Sequence, residues 1–219
     1  MDEESARDRL VERLRARHDV DPAVFDALRA VPRHEFVPAG RRDAAYEDRP
    51  LPIGGNQTVS APHMVAMICS LIEAGAGGDV LEVGTGCGYH AAVTAELVAP
   101  GRVSSVEYDP DLADGARERL DRLGYDAVRV RTGDGRGGWP DHAPYDAAYL
   151  ACAAPAVPDA VVEQVREGGV VVAPVESDGG PFRGGQQLVR LRVRPDGVDR
   201  EDHGEVRFVR MRGGDGAGD

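Results

Sequence analysis

The stretch Asp79-Val-Leu-Glu-Val-Gly-Thr-Gly-Cys-Gly-Tyr89 admits few structures. It reads as a short buried strand, Val80 to Val83, running into a glycine-rich turn and then a helix from about Tyr89. That helix carries Ala91, Ala92, Ala95, Leu97 and Val98. A β-carbon at Gly84, Gly86 or Gly88 would block a positive φ or the close approach of a ligand to the backbone. Free N–H groups at the helix start point into the same space. At the carboxyl end of a strand in an open α/β sheet, such a turn holds a nucleotide-like cofactor. The competing reading is a turn that only packs helix on strand.

The dinucleotide pattern G-x-G-x-x-G/A fails from Gly84, because Tyr89 stands where the third glycine belongs. From Gly86 it is met loosely by Gly88 and Ala91, but the turn then begins two residues late. Glu82-x-Gly84-x-Gly86-x-Gly88 instead resembles motif I of S-adenosylmethionine (AdoMet) methyltransferases. Glu107 ends the apolar run Val103 to Val106, at about the interval expected of a carboxylate that accepts from ribose hydroxyls. A solvated strand end is the bland alternative for Glu107.

The rest of the chain supports one α/β domain. Leu10, Val11 and Leu14 predict a helix over Ser5 to His18. Asp21-Pro22 predicts a capped second helix to about Val31, burying Val24, Phe25 and Leu28. Arg49 to Ser60 holds too many glycines and prolines for a regular element and is predicted to be an ordered loop. Ser60 is predicted to cap a third helix with Pro62 in its first turn and Met64, Met67, Ile68, Leu71 and Ile72 facing the core. Strands and helices then alternate. Strands are predicted at Val103–Glu107, Ala127–Arg131, Tyr145–Ala151 and Gly169–Val175, and helices at Asp109–Leu123 and Val157–Arg166. Two closing strands, Gln187–Val193 and Val206–Met211, are expected to be antiparallel.

The fold class is thus doubly wound and Rossmann-like. It has a seven-stranded, mostly parallel sheet, a C-terminal antiparallel strand and an N-terminal helical extension. A single domain over residues 1–212 is expected. Within it, 1–60 gives the helices and an ordered loop, which the family resemblance given below makes substrate-side, 79–175 the cofactor core and 186–212 the closing strands, with a disordered tail at 213–219.

Composition narrows the partners. The net charge is −12 and every Lys/Arg-type residue is arginine, which disfavours nucleic acid as a direct partner. The same balance suits a salt-rich, halophilic cytoplasm, although a GC-rich genome would also remove lysine. No long apolar run predicts a membrane span. Cys69, Cys87 and Cys152 are scattered, offer neither a disulfide framework nor a metal pair, and fit a reducing, cytoplasmic setting.

Several stretches together are similar to the protein-L-isoaspartate O-methyltransferase family. They are Val31-Pro-Arg-His-Glu-Phe-Val-Pro38, Tyr46 to Gly54, Gln57-Thr-Val-Ser-Ala-Pro-His-Met64, Glu82 to Tyr89, Gly133-Asp-Gly135, Ala143 to Asp146, Ala153 to Pro155, Glu167 to Gly169 and Glu205 to Val209. The resemblance covers roughly residues 10 to 212. Motif I identifies only the superfamily, whereas Gln57–Met64 is not carried by generic methyltransferases. The chain departs from the family pattern at Gly54-Gly55-Asn56, at Cys87 where serine is common, at Ala151 where threonine often follows the fourth strand, and at Glu176. An acidic, glycine-rich insertion lies between Glu176 and Gln186.

The resemblance implies methyl transfer from AdoMet to the free carboxylate of an L-isoaspartyl residue in a damaged protein or peptide, which starts its repair. The nucleophile is already ionised at neutral pH, so alignment and desolvation replace a strong base, and no metal is expected. The resemblance gives Ser60 the catalytic part and Thr58, Val59 and Ser60 the substrate contact. It gives cofactor contacts to Gln57, Thr58, Ser60, His63, Glu82, Gly84, Thr85, Gly86, Cys87, Gly88, Glu107, Tyr108, Gly133, Asp134 and Gly135. A plain N-cap is the alternative for Ser60, a loop hydroxyl bonding its own backbone for Thr58, and a turn former for Asp134. Cys152 is a candidate pocket wall and Cys69 a core residue. A monomer is expected. Three other functions stay open: another AdoMet methyltransferase, an AdoMet-binding relative that has lost turnover and acts as an interaction module, and, more distantly, a dehydrogenase.

Overall fold

The computed structural model describes residues 2–177 and 185–213. Helices α1 (Glu3–Arg15) and α2 (Pro22–Ala30) open the chain, capped by the Asp2 and Asp21 carboxylates. Leu10, Val11, Leu14, Val24, Phe25 and Leu28 are all buried, as their spacing predicts. After 3₁₀ turns at Arg33–Phe36 and Ala39–Ala44 comes a small antiparallel pair, β1 (Leu51–Gly54) and β2 (Gln57–Val59). This corrects the predicted loop. The two-residue turn Gly55-Asn56 has φ of 56° and 57°, the left-handed pair that a tight hairpin of this kind requires.

Helix α3 spans Pro62–Leu71, and its N-cap is Ala61, without a side-chain bond. Ser60 is therefore not the cap. Asp48 takes that place from outside the helix, its Oδ1 accepting from the His63 backbone N–H at 3.0 Å. Ile68 and Ile72 are buried, joined by Val65, Ala66 and Cys69, while Met64, Met67 and Leu71 are half-buried at the margin.

The main sheet contains β3 (Asp79–Val83), β4 (Arg102–Glu107), β5 (Val128–Thr132), β6 (Tyr145–Leu150), β7 (Val165–Ser177), β8 (Gly185–Arg194) and β9 (Gly197–Val206). Its order is β5-β4-β3-β6-β7-β8-β9. The first five strands are parallel, β8 is antiparallel to β7, and β9 is antiparallel to β8. Helices α4 (Tyr89–Val98), α5 (Pro110–Arg122) and α6 (Asp159–Val162) complete the fold. Successive β3 residues feed different cores: Val80 belongs to the one that takes in α1 to α4, and Leu81 to the one that holds Val106, Leu150, Val171 and Val161 of α6. Because β4 and β6 flank β3, the chain reverses direction there, and the carboxyl ends of these strands open a crevice.

Two further predicted spans are corrected. The helix predicted over Val157–Arg166 is one turn, because Val165 already pairs with Tyr145 and extends β7 towards its N-terminus. The last strand is Gly197–Val206, not Val206–Met211. Beyond it the chain leaves the sheet edge and bonds the loop after β6: Ala153 N–H donates to Val209 O at 2.8 Å and Met211 N–H to Ala153 O at 2.7 Å. Most of the insertion after Glu176, and all but Gly213 of the predicted tail, lie outside the described residues. Among the described residues no helix is long and apolar enough to cross a membrane, and all three cysteines are free and buried.

Candidate active site

The turn after β3 has the backbone its glycines predict, with φ of 97° at Gly84, 55° at Gly86 and 88° at Gly88. Gly84 N–H donates to Val106 O at 2.8 Å, so the β3–β4 ladder runs into the turn. A β-carbon on Gly86 would come 3.2 Å from the Ile53 methyl across a cleft. A β-carbon on Gly88 would instead meet Leu120 at 3.2 Å, so this third glycine seats α5 and stays off the cleft wall. The cleft spans about 720 Å³, its open mouth included.

The two carboxylates flanking the turn have different environments. Glu107, at the end of β4, lines the cleft; its Oε2 accepts from Gly86 N–H at 2.8 Å and its Oε1 from Asp109 N–H at 3.0 Å. Tyr108 beside it is half exposed at the mouth. Glu82 has no exposed surface and lies beneath the turn, accepting from Ser105 Oγ at 2.5 Å and Tyr149 OH at 2.9 Å. Burial pushes its carboxyl up to about 8 despite those donors. Glu82 therefore supports the cleft floor and does not line the cleft.

The opposite wall is the segment from β2 to α3, and a buried arginine shapes it. Arg33 has no exposed surface, and its guanidinium donates to four backbone carbonyls. These are Ala45 O at 2.6 Å, Glu47 O at 3.4 Å, Arg49 O at 3.3 Å and Ser60 O at 3.0 Å. Burial lowers its pKa, and the Tyr89 ring lies 5.3 Å from its Cζ. The residues from Gln57 to Ser60 thereby face the glycine turn. Arg212 closes the mouth by donating to Gly55 O and pairing with Asp109 at 3.3 Å.

A second cavity adjoins the first. It runs between Pro50, His63 and Met64 on one side and the segment from Glu205 to Val209 on the other. Thr58, Ser60, Ala151 and Val209 line both cavities.

Of the predicted site residues, Gln57, Thr58, Val59, Ser60, Gly84, Thr85, Gly86, Cys87, Glu107, Tyr108 and Gly135 meet around the first cleft. Cys152 also lines it, and its thiol is pushed up to about 12 by burial. His63, Glu82, Gly88, Gly133 and Asp134 do not line it. His63 bonds Asp48 through Nδ1 at 2.8 Å, stacks on His18 and borders the second cavity. Asp134 caps its own turn, accepting from Arg136 N–H at 3.0 Å, and the Arg136 guanidinium holds its carboxyl low. Sequence reasoning missed Ile53, His90, Arg33 and the wall from Arg210 to Arg212. The C-terminal wall is hidden in the sequence because the apolar Val206, Phe208, Val209 and Met211 read as a strand.

The family model for protein-L-isoaspartate(D-aspartate) O-methyltransferase matches residues 5–216. Protein-L-isoaspartate O-methyltransferase 2 of Archaeoglobus fulgidus is 48% identical over 215 residues, covering 97% of this chain and 95% of that protein. The Methanopyrus kandleri protein-L-isoaspartate O-methyltransferase is 49% identical over 215 residues, covering 96% and 93%. Among solved structures, a protein-L-isoaspartate O-methyltransferase superposes with TM-score 0.87 at 30% identity, over 94% of this chain and 66% of that longer one. A Plasmodium falciparum chain solved with S-adenosyl-L-homocysteine is 22% identical with TM-score 0.79, over 94% of this chain and 98% of that one, a likeness of fold. With nearly full-length matches at this identity, the chain belongs to the protein-L-isoaspartate O-methyltransferase family.

Proposed function

We propose that the chain transfers a methyl group from AdoMet to the free carboxylate of L-isoaspartyl residues in damaged proteins and peptides. The observation that carries this reading is the position of Ser60, on the wall between two cavities. One cavity has the turn and carboxylate that suit a nucleoside, and the other opens beside a segment long enough to border a peptide.

The residues present fit the cofactor. Gly84 and Gly86 leave backbone space that a β-carbon would narrow. Glu107 offers carboxylate oxygens for the ribose hydroxyls, and exposed Tyr108 offers a ring face at the mouth. AdoMet, when bound, supplies a methyl group on a sulfonium centre. The Ser60 and Thr58 hydroxyls sit where they can donate to the incoming carboxylate and fix its orientation. They take no proton from it, since a carboxylate needs no base at neutral pH. The wall of buried Cys152 and half-buried Ala151 keeps water from competing for that oxygen.

We also read residues 1–212 as one methyltransferase domain that works as a monomer in the cytoplasm, on protein substrates and not on nucleic acid. The charge of −12 supports the choice of partner, and free buried thiols suit a reducing compartment. The same charge favours a salt-rich setting.

The test is transfer of labelled methyl to an isoaspartyl peptide, compared with its aspartyl twin. Base-labile labelling of the isoaspartyl peptide alone is expected. Equal labelling of both, or of neither, would contradict the reading. S-adenosyl-L-homocysteine binding without labelling would favour the interaction module.

A further inference from the structure

His90 follows the glycine turn as the second residue of α4. It is 5% exposed, yet neither Nδ1 nor Nε2 has a hydrogen-bond partner among the described residues. Its surroundings fix the ring. The imidazole packs on Tyr149 with centroids 4.3 Å apart, and the Tyr149 hydroxyl is itself held by Glu82 at 2.9 Å and Thr94 at 3.0 Å. Two polar neighbours in the same cleft are partnered: Thr85 bonds Ser105, and Glu107 accepts from two backbone N–H groups. A buried polar group without a partner costs its full desolvation, so two on one rigid ring call for a polar partner in the cleft they border.

Topology says which part of a ligand lies there. Glu107 ends β4 on one flank of β3, whereas Tyr149, which carries His90, is on β6 on the other flank. A ligand whose ribose sits over Glu107, with its base towards Tyr108 and Gly135 on the β5 side, reaches His90 with its other end. Burial also keeps the imidazole neutral, lowering its pKa to about 3, so one nitrogen donates and the other accepts. A zwitterionic amino-acid end, with ammonium and carboxylate side by side, matches that pair.

Resting on the AdoMet reading of the cleft, we propose that His90 is a cofactor-binding residue that hydrogen-bonds the α-amino-acid end of AdoMet. Its role is recognition of that end, and it takes no part in proton transfer.

Calorimetry with two probes tests this. S-adenosyl-L-homocysteine has the amino-acid end, and 5′-methylthioadenosine lacks it. His90→Leu is expected to weaken S-adenosyl-L-homocysteine binding about tenfold and to leave 5′-methylthioadenosine within about twofold, with His90→Gln recovering part of the loss. Unchanged S-adenosyl-L-homocysteine affinity in His90→Leu, or equal losses for both probes, would overturn the proposal. The wild-type protein supplies a second readout that needs no variant. Its His90 ring ¹⁵N resonances are expected to shift on saturation with S-adenosyl-L-homocysteine, and the absence of a shift would overturn the proposal. Wild-type protein that binds neither probe would defeat the AdoMet reading itself, and His90 with it. Binding that ignores His90 would defeat only the present inference.

Discussion

The Arg33 guanidinium, fully buried, donates to the backbone carbonyl oxygen of Ser60 at 3.0 Å. It ties that residue to the same cation that holds Ala45, Glu47 and Arg49. A guanidinium spreads its donors over a planar fork and spans these four carbonyls, whereas a lysine ammonium offers three donors on one nitrogen and does not cover them all. Arg33→Lys is therefore expected to cost roughly 2–4 kcal/mol of stability in urea unfolding, through carbonyls left unpaired. Activity measured well below the unfolding transition should also fall, because the wall of the cleft loosens.

Ser60→Ala separates catalysis from folding. The Ser60 hydroxyl caps no helix, since Ala61 is the N-cap and Asp48 serves the first turn. Stability should change by less than about 0.5 kcal/mol. Loss of a donor at the reacting carboxylate should lower kcat roughly 10- to 100-fold, with S-adenosyl-L-homocysteine binding kept. Steady-state kinetics and calorimetry on the same preparation check both halves.

Glu107→Gln removes the charge and one acceptor from the group that meets Gly86 N–H at 2.8 Å. S-adenosyl-L-homocysteine affinity should drop roughly tenfold or more. Adenine alone should be affected less, because it lacks the ribose hydroxyls. Calorimetric titration with the two ligands measures the difference.

Glu82 gives the protein a pH signature. Its folded pKa, about 8, stands above the ordinary 4.5, so its contribution to stability is full below about 4.5 and is lost as pH rises through about 8. His90 acts in the other direction: with a folded pKa of about 3 against 6.5, it contributes fully above 6.5 and loses its contribution as pH falls. Between pH 6.5 and 8, Glu82 acts against no opposing change from His90. Wild-type stability should fall there by up to about 1.4 kcal/mol per pH unit, and Glu82→Gln should flatten the slope. Urea midpoints across that interval provide the check.

Local signals were legible in the sequence, and long-range ones were not. The glycine turn and Glu107 could be read because a strand, its turn and the next strand end lie close in the chain. The stretch from Gln57 to Ser60 was located by resemblance. The hairpin before it was missed, since its turn depends on positive φ at Gly55 and Asn56, which a glycine-rich composition conceals. Ser60 looks like a cap because the residue type suits one, but Asp48, fifteen positions before the His63 N–H that it accepts from, does that work. Val206 to Met211 is apolar enough to read as a strand, yet the backbone partner of Val209 and Met211 is Ala153, beyond any pattern in the segment itself. Asp134 lay one residue from the cleft, and Arg136 took its carboxylate.

The most direct test of the site is a crystal structure of the chain with S-adenosyl-L-homocysteine. The ribose is expected on Glu107 beside the turn from Gly84 to Gly86, with the sulfur on the side of Ser60, facing the second cavity. A ligand bound elsewhere, or one whose sulfur is walled off from Ser60 and that cavity, would contradict the account.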